Sequence, residues 1–583
     1  MSPDLARALE AKELAQIWGV LRSESLKLWS LRPPRLITVL MFILPVALAT
    51  VRVFFVPLVV GTDLDTDGTS VLFESISVSA LPLAVLSATL GLISITSEYT
   101  DDSLAGSLVA VPSRVKLLLA KTLPTIGLSA LSVAAGTSIA GWIASITLTS
   151  RGYTVPSLDR SADLLLSVVA GAGCFAVLGL AFGALARSAV TASIVFVGIV
   201  LLMPSTLFYL GGTWAPRFVE MLPASALQAL TTRAPAEPFV LEGTSASALE
   251  PSIGFAVLAS GSALLLAAAA VIFARRSVHL EVARNGRQSQ ASRPAMRVES
   301  PARGLSFTGV VRSEALKALT LPSSRWLLAL SAGAIVFMAW RWAVARNPAD
   351  ILEAPITAWD LASLTFYDQM TVISGGLALS QFLIAAFGAL VATSDFATGN
   401  IRPALAAVPR RGWLLAAKTG IAVTSAMAVG AIALLLAAIV ATPIQQDQGF
   451  PATLSASIVW ISIAKGTIAL GLVAALGCGV GMIARSASGA LFALATIFVV
   501  VSTLTSQMER ITVDTPLVWL TNIGRVFPSG RDAAETLGPN TFQPWFQYGN
   551  ILQLPPGASM VALFLWAAGS LAIAWVLFRR RGV

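Results

Sequence analysis

The feature that most constrains this chain is a series of apolar runs, each about 20 residues or longer and nearly free of charge. A hydrocarbon core of about 30 Å needs some 20 helical residues to cross it. Such runs lie near 36–58, 76–96, 117–148, 163–185, 189–210 and 252–274. A second set lies near 326–344, 371–392, 413–442, 457–483, 488–508 and 558–578. In lipid the backbone must satisfy its own hydrogen bonds, and runs this long and uniform suit helices, not the short alternating strands of a barrel. Composition agrees, with 56% hydrophobic and only 12% charged residues, against about 25% charged in soluble domains. The sequence predicts an all-α polytopic membrane protein with 12 transmembrane helices, six in each half.

The net charge is +9, which by itself could suggest a nucleic-acid partner. Its distribution argues otherwise. With the N-terminus inside, most of the Lys and Arg residues fall on the cytoplasmic side and most acids on the other, as the positive-inside rule requires. The basic balance is therefore a topology signal, and no nucleic acid is expected. The opening "MSPDLARALEAKELAQIWGV" has no apolar core of a signal peptide and reads as a cytoplasmic segment. Both termini are expected in the cytoplasm. Alanine is abundant and lysine scarce beside arginine, the mark of a GC-rich genome, which points to the bacterial cytoplasmic (inner) membrane. An Arg/Ser/Pro-rich stretch at about 275–305 holds the lone His279 and reads as a cytoplasmic linker between halves 1–274 and 306–583. Cys174 and Cys478 sit in apolar runs without metal-ligand spacing and read as inert thiols.

The halves answer each other at several places, 290 to 298 residues apart. "RSESLKLWSLRPPR" from Arg22 pairs with "RSEALKALTLPSSR" from Arg312. "SEYTDDSLAGSLVAVPSRVKLLLAKT" from Ser97 pairs with "SDFATGNIRPALAAVPRRGWLLAAKT" from Ser394, and "GALARSAVTAS" from Gly183 with "GMIARSASGA" from Gly481. A near-constant offset means duplication, and six spans per half make the repeats parallel. The segment before each first run is amphipathic, with Arg22, Glu24 and Lys27, or Arg312, Glu314 and Lys317, among apolar neighbours. Such a helix lies in the membrane interface, as an anchor or as a docking element. Each long polar segment opens on an acid and an aromatic, Glu98-Tyr99 or Asp395-Phe396, and continues through Pro112 and Arg114, or Pro409 and Arg411. Positive-inside charge alone requires neither that pair nor a proline at a fixed place. The two segments look like handles for a two-fold symmetric partner.

The pattern S-[ED]-[YF]-x-x-G-x-I-R-x-x-L-x-x-x-P-R-R-x-x-x-L-x-A-K resembles the first cytoplasmic loop of ABC-2-type transporter permeases. The second copy follows it closely, with Gly399, Ile401, Arg402, Pro409, Arg410, Arg411 and Lys418. The first departs at Asp102, Ala105 and Ser113. "MLPASALQAL" from Met221 and "VFPSGRDAAETL" from Val526, in the two long outer segments, echo the same family; those segments are expected to hold short membrane-surface helices. The resemblance implies two six-span permeases fused in one chain, bound to two copies of a separate ABC ATPase subunit that carries ATP and Mg. It assigns coupling to that ATPase to Glu24, Glu98, Tyr99, Pro112, Arg114, Glu314, Asp395, Phe396, Arg402, Pro409 and Arg411.

No phosphate loop, nucleophile elbow or H-E-x-x-H motif occurs in the sequence. The chain is therefore expected to be no enzyme and to bind no cofactor or metal, with energy from another polypeptide or from an ion gradient. The sequence favours the membrane half of an ATP-driven exporter, in contact with membrane lipid and moving an amphipathic or lipophilic small molecule or lipid-like substrate. The alternative is a gradient-driven secondary transporter with twelve spans. That would bury acids at mid-membrane, and no Asp or Glu falls clearly inside a run. A membrane assembly or sensor protein is a third class. Lys465 stands about eight residues into the tenth run, roughly 12 Å deep at the ~1.5 Å helical rise. It either snorkels to the headgroups or attracts an anionic group on the cargo; its counterpart is Ser167.

Overall fold

Long stretches of Ala, Leu, Val and Ile, broken by few prolines, become helices because nothing in them competes for the backbone. The computed structural model describes residues 18–55, 68–100, 104–186 except 112 and 157, 188–204, 207, 215–232, 249–275, 306–345, 369–397 except 371, 400–509 except 409 and 451, and 556–580. The expected linker, His279, Pro112, Pro409 and "VFPSGRDAAETL" lie outside the described residues. Among those described, ten helices are long and apolar enough to cross a membrane, so the chain is an all-α polytopic membrane protein. The expected run at 189–210 corresponds to a shorter apolar stretch, Ala189–Val200; that at 488–508 lies within the 23-residue helix Ala487–Glu509, whose part Ala487–Val500 counts as a shorter apolar stretch.

The described residues gather into two compact units, one drawn mainly from residues up to Ser306 and the other mainly from Phe307 onward. The first contains α1 (18–30), α2 (Arg32–Phe55), α3 (Thr69–Ser77), α4 (Ala80–Thr100), α5 (Leu104–Ala110), α6 (Arg114–Ser150), α7 (Leu158–Ala186), α8 (Ala189–Val197), α9 (Pro223–Thr231) and α10 (Pro251–Arg275). The second contains α11 (Phe307–Thr320), α12 (Pro322–Ala345), α13 (Leu377–Ala397), α14 (Ile401–Ala407), α15 (Arg411–Asp447), α16 (Ser457–Ala484), α17 (Ala487–Glu509) and α18 (Pro556–Arg580). Six helices of each unit match in order and nearly in length. α2 and α12 have 24 residues, α4 and α13 have 21, and α5 and α14 have 7. α6 and α15 have 37, α7 and α16 have 29 and 28, and α10 and α18 have 25.

At the centre of the first unit α4 lies against α7 with backbone touching backbone. A Cβ at Gly91 would collide with the Ala176 carbonyl, and one at Gly179 with that of Ala88. The second unit does the same where α13 meets α16, through Gly388 on Ala474 and Gly477 on Ala385. Small residues allow this approach, and in lipid close packing replaces the hydrophobic effect as the force between helices. Many buried hydroxyls are satisfied within their own helix, as Thr89 and Thr137 donate to the carbonyls of Val85 and Val133, both at 2.7 Å. The outer helices expose apolar rows, for example Leu264 on α10, Ile432 on α15 and Phe564 on α18.

Each unit gathers its amphipathic helix, the end of its second long helix and the start of its third at one end. In the first unit the opposite end is held by an Arg52–Glu74 ion pair and by Arg151, whose Nη1 donates to the Val53 carbonyl at 3.0 Å. Glu74 and Glu98 both belong to the candidate span Thr69–Tyr99, and Asp395 to Val372–Phe396. This corrects the expectation that no acid lies within a span. The helices continue a turn or more past the apolar core, so residues placed in loops by hydropathy are still helical and still buried.

Candidate functional site

α1 turns one face inward. Val20 is partly buried and Glu24 and Leu28 are buried, at i, i+4 and i+8, while Trp18, Leu26 and Trp29 stay exposed. α11 repeats this with Val310, Glu314 and Ala318. That a glutamate sits in the middle of each buried stripe needs an electrostatic explanation, because an unpaired buried charge is prohibitive.

The explanation is a cluster of two acids and two lysines. Glu24 on α1 and Glu98 near the end of α4 are both buried. Lys121, about two turns into α6 and 2% exposed, places its Nζ 2.6 Å from Glu24 Oε2 and 2.8 Å from Glu98 Oε1. Lys27 closes the ring from the solvent side, 2.7 Å from Glu24 Oε1 and 3.0 Å from Glu98 Oε1. Ser107 on α5 donates to Glu98 Oε1 at 3.0 Å. One cluster thus joins four elements, α1, α4, α5 and α6.

The second unit contains the same arrangement in different residues. Lys418 Nζ lies 2.8 Å from Glu314 Oε2 and 2.9 Å from Asp395 Oδ2. Lys317 lies 2.7 Å from Glu314 Oε1 and 3.1 Å from Asp395 Oδ1. Lys418 also donates to the Val391 carbonyl and to Ser394 Oγ, both at 3.2 Å. Burial alone would lower the affinity of Lys27 and Lys317 for their protons. The facing carboxylates outweigh it, and both ammoniums are held above the ordinary lysine value. Lysine suits the task because one compact ammonium offers three rotatable donors, which can divide between two carboxylates that a planar guanidinium would have to meet edge-on. Each cluster sums to zero charge. It supplies neither a nucleophile nor an unmatched acid, so its chemical capacity is to hold elements together.

The predicted site residues among those described fall into four groups. Glu24, Glu98, Glu314 and Asp395 are buried and brought together with lysines. Arg114 and Arg411 cap the last long helix of each unit. Nη1 of Arg114 donates to the Phe273 carbonyl at 3.2 Å, and that of Arg411 to Phe578 at 2.7 Å. A cation there satisfies an orphan carbonyl and opposes the helix dipole. Tyr99 packs beside Ile95, Leu117 and Leu180. Phe396 lies under Arg485, 5.8 Å from its ring centre, where Arg485 takes the left-handed conformation with φ 55° to end α16. Of the set, Arg402 on α14 is exposed. Lys465 is half-buried on α16, flanking an exposed row of Trp460, Ile461 and Ile468.

The sequence reading did not single out Lys27, Lys121, Lys317 and Lys418 as site residues. A signal existed: the chain has only seven lysines, and these four stand at matching places in the two halves. Among the described residues no group of His, Cys, Asp and Glu could hold a metal ion. Comparison with known proteins gives no further guide, for no protein-family model, curated protein or solved structure matches the chain.

Proposed function

We propose that the chain is the membrane permease of an ATP-driven exporter, built from two parallel six-span halves that act on two copies of a separate ATPase subunit. Twelve spans follow if the apolar stretches Ala189–Val200 and Ala487–Val500 each begin a fifth span, with both termini in the cytoplasm. The observation that carries the reading is the two-acid, two-lysine cluster of each unit. It ties the amphipathic helix to the handle segment, the two elements whose sequences resemble the ATPase-facing parts of ABC-2-type permeases. A loop that merely joined two spans would need no such tie. A force applied at α5 is instead passed to α1 and to the long helix that follows, and one applied at the end of α13 to α11 and α15. The buried acids bind lysines near the ends of candidate spans or on the helix before the first one of each unit, whereas an ion-coupled carrier would hold acids at mid-membrane. Arg402 is left exposed to meet a partner. The cargo on this reading is an amphipathic or lipophilic small molecule or lipid.

The test is transport by the chain co-purified from its native membrane and reconstituted with whatever subunit accompanies it. Lipophilic dyes should be expelled on addition of ATP and Mg in the absence of any ion gradient, and Arg402→Glu should uncouple ATP hydrolysis from that movement. Expulsion driven by a proton or sodium gradient without ATP would overturn the proposal.

A further inference from the structure

The feet of α15 and α18 carry a patch of arginines stacked on aromatic rings. The Arg410 guanidinium lies 4.8 Å from the centre of the Trp413 ring, Arg411 5.7 Å from Phe578 and Arg579 5.5 Å from Trp575. Trp575 abuts Gly412, where a Cβ would stand 3.3 Å from its ring, so the stacked pairs form one continuous surface. Phe307 packs edge-on to Trp413 at 5.8 Å and closes the patch on the α11 side. Arg410, Arg579 and Arg580 are exposed, and none of the three has an ion-pair partner among the described residues. Each rests on an aromatic face or follows one that does, so its donors remain free. The matching positions of the first unit read Ser113 for Arg410, Lys116 for Trp413, and Ala270 and Ala274 for Trp575 and Arg579. The stacked arginines Arg410 and Arg579 thus have no counterpart in the first unit, whereas Arg580 is matched by the exposed Arg275.

We propose that this patch binds the headgroup of an anionic phospholipid. Both helices that build it are candidate spans, Arg411–Asp447 and Met560–Arg580, and the patch lies where one begins and the other ends. That is the depth of the lipid phosphates, and tryptophan is enriched at that boundary. Basic pockets between spanning helices take acidic headgroups in just this position. Stacking pre-orients the guanidiniums, and a guanidinium meets a phosphate through paired N–H donors. A soluble partner is less well matched, because the indoles would have to leave the interface to reach it. The proposal needs only a membrane protein, and it stands or falls independently of any ATPase.

The experiment is native mass spectrometry of the full chain released from mixed micelles of phosphatidylglycerol and phosphatidylcholine. Wild type should retain a phosphatidylglycerol molecule in preference to phosphatidylcholine. At low salt, each charge removed should weaken that retention about fivefold, and Arg410→Gln/Arg579→Gln/Arg580→Gln together on the order of 100-fold. Arg410→Gln alone changes one exposed side chain and serves as the check that the fold is intact, with a loss of about fivefold. Lysine at the three positions should recover part of the binding, through charge without stacking. Equal phosphatidylglycerol retention by wild type and the triple variant would overturn the proposal. So would a triple variant that keeps its lipid but loses a co-purifying protein, which would make the patch a protein docking surface.

Discussion

Lys121 and Lys418 each stand between two buried carboxylates, and removing either one leaves those charges with nothing to offset their desolvation. Breaking a buried ion pair from one side costs about 3–5 kcal/mol. Lys121→Met and Lys418→Met should therefore lower the thermal midpoint in detergent and expose α1 or α11 to protease. Adding Glu98→Gln to Lys121→Met should restore much of the loss, because Glu24 would keep Lys27, 2.7 Å away. Additive losses in the double variant would contradict the cluster. The outer lysines make a pH prediction. Lys317 holds its proton above the ordinary value of 10.5, since Glu314 and Asp395 outweigh the effect of burial. A group whose folded pKa is raised contributes fully below its unfolded pKa, and that contribution is lost only as pH rises through the raised value. The tie should thus be indifferent to pH from neutrality to about 10 and loosen above it. Acylation of Lys317 at alkaline pH should be slow in wild type and faster in Glu314→Gln; equal rates would show that the carboxylate does not hold the proton.

At the scale of elements, the glycine crossings fix where the helices can lie. Gly179 sits on the Ala88 carbonyl and Gly477 on that of Ala385, both too close for any Cβ. Gly179→Val and Gly477→Val should each force α4 from α7, or α13 from α16, and sharply reduce the yield of folded protein. Gly127→Val, at a position with open space around it, should be tolerated. Comparable yields from all three would mean that the crossings are not held by close approach. Much of this level was legible in the sequence. Ten apolar runs stand as long helices, because a run's hydropathy and its ability to cross lipid are the same local property. The acids, arginines and aromatics of the handles were also legible as a repeated pattern. Their placement was not, because burial is decided by distant partners. Arg114 finds its acceptor 159 residues away and Arg411 167 residues away, and no spacing rule reaches so far. For the same reason the burial of Glu98 and Asp395 was not legible from the sequence.

For the whole molecule, one design is present in each unit: six helices matched in order and nearly in length, paired glycine crossings, an arginine cap on the last long helix, and a charge cluster that fastens the amphipathic helix. The differences are as informative. The second unit alone has the exposed arginine of α14 and the stacked arginines Arg410 and Arg579, so the halves would not meet their surroundings alike. On the proposed function, one copy of the chain supplies the whole membrane part. The measurement that tests this most directly is the mass of the complex drawn from its native membrane by a tag on this chain. The account predicts one copy of the chain with two ATPase subunits. Two copies of the chain per particle, or a particle that transports with no ATPase present, would contradict it.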